Sequence, residues 1–327
     1  MRIALTLALL GLLIGGCGGV SGGDRPDEDA TLLLDFAPNA VHSGIYLATS
    51  RGYDEAEGVT LEVRRPGAST DALKQLQTGR ADMAILDIHD LGLAREKGRD
   101  VVGVYAIVQR PLAAVIAQPG IERPRDLEGR RAGVTGLPSD DAVLRSVVAA
   151  VVGDDPDKVK ATTIGFEAVK ALLARRVDAA TAFWNAEGVA LKRRRPGFRE
   201  FRVDDYGAPS YPELVLCVTS TTLEERRPLV RAVIRALQRG YTQAQAEPDS
   251  AVAAVQEQAR GSDRAELAAQ LDAVSPAFTA GARAPGELRE DVLRKWAAWD
   301  LEFGILSKPL VVSEAFDFDQ VGPVRNP

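Results

Sequence analysis

Two similar α/β lobes facing each other across a ligand cleft are the fold the sequence predicts, and three observations predict it. Strands and helices alternate as βαβαβ between residues 31 and 86, the same order returns between 131 and 183, and the residues just past the strand ends are richer in polar and aromatic groups than capping requires. In the first unit TLLLDF (31–36) reads as a strand, Pro38 opens a helix to about Ser50, VTLEVR (59–64) is a strand, 70–78 a helix and DMAIL (82–86) a strand. The second unit reads RAGVT (131–135), a helix from Pro138 to about Val152, VKATTIG (159–165), a helix over 166–175 and DAATAF (178–183). Laid over each other, LKQLQTGRADMAILDIH and VKALLARRVDAATAFWN place Leu76 on Leu172, Arg80 on Arg176, Asp82 on Asp178 and Ala84 on Ala180.

Alternation of this kind implies parallel pairing with right-handed crossovers, and ligands of such sheets collect beyond the carboxyl ends of the strands. The residues found there are Phe36, Pro38 and Asn39; Asp87 and His89; Gly136 and Ser139; then Trp184, Asn185 and Glu187. After the second unit SYPELVLCVTS brings Tyr211 and Glu213 just ahead of an apolar strand, and the remainder is largely helical over 226–246, 249–259, 263–273 and 286–303. A helical return that packs on the first lobe makes that lobe discontinuous, which gives lobe one as 31–115 plus 214–327 and lobe two as 116–213. In the last helix Leu288, Val292, Trp296, Trp299 and Phe303 recur at three- and four-residue spacing, so both tryptophans read as core.

The chain opens with Met1-Arg2, an apolar run too short to be a comfortable membrane span, and Ile14-Gly15-Gly16-Cys17. This pattern resembles a bacterial lipoprotein signal over 1–16, with Cys17 lipidated; the segment 17–30 lacks large apolar residues and reads as a tether. The only other cysteine, Cys217, lies in an apolar strand, so no intramolecular disulfide is expected. A net charge of −6 argues against nucleic acid as a partner, and Lys192-Arg193-Arg194-Arg195 is accounted for as the cationic end of a helix before Pro196-Gly197.

Four stretches, LDFAPNAVHSGIYLA, RGYDEAEGV, GRADMAI and AFWNAEG followed by YPELVL, together resemble the periplasmic-binding-protein-like family that serves ABC importers. Within it they are similar to the branch related to thiamine pyrimidine synthase, whose importer members bind a formylated aminopyrimidine precursor of thiamine. The resemblance spans roughly residues 31–240. It implies a type II two-lobe fold, an aminopyrimidine-like ligand, a permease and its ATPase as partners, a monomer held at the membrane by lipid, and no cofactor. Phe36 stands where family members commonly carry Trp, and Val41 where they carry a polar residue, so a relative of that pyrimidine also fits.

Each residue has a chemical case and a plainer one. Phe36, Trp184 and Tyr211 can sandwich a flat ring by offset stacking, or simply fill lobe cores. Glu187 can accept an exocyclic amine, or compensate the start of a helix. Asn39 and Asn185 can face the ligand or cap, His42 can wall the cleft or start its helix, and Asp87, His89, Ser139 and Glu213 complete the candidates. The histidines have no cysteine partner and no nucleophile motif, so metal or triad chemistry has little support. The alternatives are a synthase-like enzyme that consumes one of its own histidines, a receptor for a sulfonate or a flavin, and a scaffold without ligand. The scaffold leaves the cleft aromatics unexplained, and the enzyme is opposed by the export signal and by a chain whose only cysteines are Cys17 and Cys217.

Overall fold

The computed structural model describes residues 28–67, 71–150 and 158–322. The expected signal peptide, Cys17 and all of the tether before residue 28 lie outside the described residues. Among the described residues no helix is long and apolar enough to cross a membrane.

Among the described residues ten strands form two five-stranded sheets. They are β1 (Glu28–Leu33), β2 (Val59–Arg64), β3 (Met83–Asp87), β4 (Val102–Ala106), β5 (Ala113–Ala117), β6 (Arg131–Val134), β7 (Lys160–Thr163), β8 (Ala179–Phe183), β9 (Arg199–Arg202) and β10 (Leu214–Val218). The first sheet runs β2-β1-β3-β10-β4 and the second β7-β6-β8-β5-β9. The helices are α1 (Ser43–Ser50), α2 (Asp71–Gln77), α3 (Ile88–Glu96), α4 (Pro138–Ala149), α5 (Ala168–Leu173), α6 (Val189–Arg194), α7 (Ser220–Glu225), α8 (Arg227–Ala246), α9 (Pro248–Gln258), α10 (Arg264–Val274), α11 (Glu290–Glu302) and α12 (Val312–Ala315).

The repeated βαβαβ units are the parallel cores of the two sheets, β1 pairing with β2 and β3, and β6 with β7 and β8. The aligned aspartates do the same job in each: Asp82 Oδ2 accepts from Thr31 N at 2.8 Å and Asp178 Oδ2 from Arg131 N at 3.0 Å, each tying the turn before the third strand to the first. The parallel pairing expected of the units holds within them, and the fourth strand of each sheet departs from it. β10 runs antiparallel to β3 and β4, and β5 antiparallel to β8 and β9, because each arrives from the opposite lobe instead of through a helical crossover on its own sheet.

Three boundaries also move. β1 begins at Glu28, inside the segment read as tether. Ala113–Val115, assigned by sequence to lobe one, belong to the second sheet, so the crossings are 107–112 and 203–213. The last long helix starts at Glu290, and its inward face is Leu293, Trp296 and Trp299 while Val292 is only half-buried.

Both faces of the first sheet are covered, which its nearly continuous apolar strands require. Leu32, Met83, Ile85 and Leu216 face the layer of α1 and α8, whereas Leu33, Ala84, Leu86 and Cys217 face the layer of α3 and α11. The return from α8 onward therefore does pack on the first lobe. It fixes α1, and with it the turn that follows β1.

Candidate functional site

Between the two sheets lies a cleft enclosing about 1050 Å³ of empty space, its mouth included. Its walls come from the carboxyl ends of strands in both sheets, as open α/β sheets dictate. Phe36, Asn39, Asp87, Ser139 and Glu187 of the sequence candidates line it.

The turn after β1 is built by reciprocal capping. Asn39 Oδ1 accepts from Val41 N at 3.0 Å and its Nδ2 donates to Ala37 O at 3.1 Å, so the amide holds the turn while it faces the cleft. His42 Nδ1 accepts from Asn39 N at 3.2 Å, which leaves Nε2–H to donate to Asp35 Oδ1 at 2.8 Å. His42 is fully buried and does not line the cleft; it aims Asp35, which does. Asp87 caps α3 by accepting from His89 N at 2.8 Å. Glu187 sits in a turn of π-helix over Trp184–Gly188 and accepts from Phe183 N at 3.3 Å. Burial raises the Glu187 carboxyl above the ordinary range.

Six candidates stand behind the walls: His42, His89, Trp184, Asn185, Tyr211 and Glu213 do not line the cleft. Three of them hold the crossings together. Trp184 Nε1 donates to Pro111 O at 3.0 Å, and the Arg202 guanidinium lies 4.1 Å from the centre of its ring. Glu213 Oε2, on the second crossing, accepts from Leu112 N at 2.6 Å and Ala113 N at 2.9 Å at the end of the first. Tyr211 is wholly buried with its hydroxyl 3.2 Å from His89 Nε2. Asn185 is buried too, and neither polar atom of its amide has a partner in the structure.

His89 centres a buried ionic network. Its Nδ1 is 2.9 Å from the Asp300 carboxylate, and Trp296 Nε1 comes within 3.2 Å of the same nitrogen, a packing contact because that nitrogen already donates to Asp300. Burial alone lowers the His89 pKa, but Asp300, Asp87 and Glu213 outweigh it and raise the pKa to about 10. Asp87 is raised well above the carboxylate range, chiefly by burial, and it is hydrogen-bonded to Glu213, which burial raises as well. Asp87, His89 and Glu213 bring one ligand atom each within 4.8 Å of one another, a spacing that would suit a metal ion. A protonated imidazole has no lone pair to give one, and the network is already closed by its own hydrogen bonds.

Sequence reasoning missed Asp35, Asp90, Asp140 and Phe166, which all line the cleft. Asp35 and Asp140 each adjoin a residue that was singled out, and Asp140 Oδ2 accepts from Thr135 N at 2.9 Å. Phe166 follows the strand β7, and its ring centre lies 5.2 Å from that of Phe36, so the two lobes touch at the mouth.

Two lobes with matched sheets, two crossings and a cleft at the strand ends define the periplasmic-binding-protein fold. The ligand-binding component of an ABC-type import system from Staphylococcus aureus superposes with a TM-score of 0.71 at 12% identity, covering 90% of this chain and 97% of that one. The chain belongs to the NMT1/THI5-like family, whose pattern matches residues 39–251. A formylaminopyrimidine-binding protein of Halalkalibacterium halodurans is 33% identical over 70% of each chain. A protein of Legionella pneumophila named 4-amino-5-hydroxymethyl-2-methylpyrimidine phosphate synthase is 25% identical, over 68% of this chain and 71% of its own.

Proposed function

We propose that the protein is the extracytoplasmic solute receptor of an ABC importer, that it binds a thiamine-precursor aminopyrimidine in the cleft, and that it delivers this solute to a permease and its ATPase. The observation that carries the reading is a cleft with an aromatic ring, Phe36, on one lobe and a half-buried carboxyl, Glu187, on the other. A flat ring with an exocyclic amine needs that pair: a face to stack on and an acceptor at its edge. The 33% identity to the formylaminopyrimidine-binding protein supports the same ligand class. A monomer anchored through a lipidated Cys17 completes the proposal, and Cys17→Ser is expected to shift the protein from membranes into the soluble fraction.

The synthase reading requires a histidine at the bound pyrimidine. Both histidines are walled off from the cleft, His42 behind Asp35 and His89 behind Asp87, which favours the receptor.

Calorimetric titration of aminopyrimidines, the formylated precursor among them, tests the proposal. Glu187→Gln keeps the shape but swaps one acceptor for a donor facing the ligand's own donor, a loss of about 1.5–3 kcal/mol, or roughly ten- to hundredfold in affinity. The melting temperature should hardly move. Equal binding by the variant would reduce Glu187 to a wall residue, failure of every aminopyrimidine to bind would remove the ligand assignment, and consumption of the ligand would end the receptor reading.

A further inference from the structure

Charge is distributed one-sidedly in the cleft. Asp35, Asp87, Asp90, Asp140 and Glu187 line it, from both lobes and from separate elements, while the described lining residues include no Lys, Arg or His. Two arginines on and beside the crossings are engaged elsewhere: Arg110 donates to Asp204, and Arg202 covers Trp184 and pairs with Glu200. The buried cation His89 stands behind Asp87 and is bound to Asp300.

Helix starts are the usual home of an anion in such a cleft, since their free N–H groups and dipole favour negative charge. Two of the helix starts that reach the cleft, those of α3 and α4, carry the chain's own acids. Asp87 accepts from the first turn of α3, with Asp90 in that turn, and α4 carries Asp140 and Asp141 in its first turn. Of the neutral side chains, Asn39 gives one N–H to Ala37 O, the Thr181 hydroxyl faces Gly133 O at 3.4 Å, and the Ser139 hydroxyl also lines the cleft. A phosphate or sulfonate would meet five acids and, among the described lining residues, no Lys, Arg or His.

We infer that the cleft selects by charge, admitting a flat, donor-rich cation or a base that is protonated on entry, and rejecting phosphorylated, sulfonated or carboxylated molecules. The inference rests on the receptor reading and narrows it. It separates an unphosphorylated aminopyrimidine from its phosphate ester, and it removes the sulfonate alternative. The lining acids fit this role, because burial raises Asp90, Asp140 and Glu187 and an arriving cation would let them ionise.

Titration calorimetry on the full chain with two matched pairs tests it: 4-amino-5-hydroxymethyl-2-methylpyrimidine against its phosphate ester, and benzamidine against benzoate, which match in shape and differ in charge. The alcohol and benzamidine are each expected to bind at least about tenfold more tightly than their anionic partners, as like-charge juxtaposition in a desolvated site demands. Asp140→Asn should narrow both ratios, with Asp90→Asn as the second variant should the first melt early. An ester or benzoate that binds as well as its partner overturns the inference, and so do ratios that neither variant changes. Preference for benzamidine without binding of either pyrimidine keeps the charge selection and removes the pyrimidine. Binding of both pyrimidines alike keeps the pyrimidine and removes the charge selection, and no binding by any of the four removes both.

Discussion

His89 shows how a residue picked out for one role turns out to hold another. As one of two histidines in the chain, beyond the end of β3, it was a reasonable ligand contact; the structure places it in a buried network with Asp300, Asp87 and Glu213 that raises its pKa to about 10. A histidine held more strongly as a cation in the folded than in the unfolded state contributes stability that is fully present below pH 6.5 and is lost as pH rises through about 10. The raised carboxyls of Asp87, Glu213 and Asp300 act in the same direction, since each binds its proton more tightly when folded and loses that advantage as pH climbs. The melting temperature should therefore fall between pH 7 and 10, and the ring signals of His89 in NMR should stay constant through pH 6.5. A ring that titrates there would show that the network does not hold the proton. Site residues were legible in the sequence where position along the chain decides the matter, as for Phe36, Asp87, Ser139 and Glu187 just past strand ends. They were illegible where direction decides: Trp184 and Tyr211 sit at equally suitable positions, but one donates to Pro111 and the other packs on Trp299, and no local pattern encodes those distant partners.

At the level of elements, the site depends on how closely α1 approaches α8, because α1 carries the turn holding Asp35, Phe36 and Asn39. Two glycines allow the approach. A Cβ on Gly240 would lie 2.0 Å from the Gly44 carbonyl oxygen, and one on Gly44 would lie 2.3 Å from the Tyr241 ring, whose hydroxyl donates to Val41 O at 2.9 Å. The obstacle to a side chain at Gly240 is backbone, which cannot swing aside. Gly240→Ala should cost about 1–3 kcal/mol through overpacking and lower the melting temperature, despite the better helix propensity of alanine. A stability gain would mean that the helices part freely, and that the turn after β1 is not fixed by this contact. The βαβαβ units were legible because period and length both signal them, and the aligned Asp82 and Asp178 proved to be equivalent struts. What could not be read was the orientation of β5 and β10: an apolar strand looks the same in either direction, and only the crossings, which bring each from the opposite lobe, reverse it.

For the molecule as a whole, the mouth of the cleft and the crossings imply a motion. Phe36 and Phe166 touch across the mouth, so the structure has the lobes drawn together, and a ligand of ring size has to part them to enter. The crossings permit this only as a joint movement, since Glu213 binds one to the other through Leu112 and Ala113, and Arg110 on the first pairs with Asp204 on the second. Few residues therefore need to change their backbone angles, as in hinge closure, and a ligand that contacts both lobes favours the closed arrangement by no more than its difference in affinity for the two. Small-angle scattering of the free protein should give a radius of gyration larger than this structure predicts, and saturating aminopyrimidine should bring it down to the predicted value. Scattering that is the same with and without ligand, and matches this structure in both cases, would mean a cleft that stays closed and a ligand that enters by movement of Phe36 and Phe166 alone. Phe166→Ala then decides between the two routes: it should leave the ligand-induced contraction in place if the lobes swing, and speed ligand entry without any contraction if only the rings move.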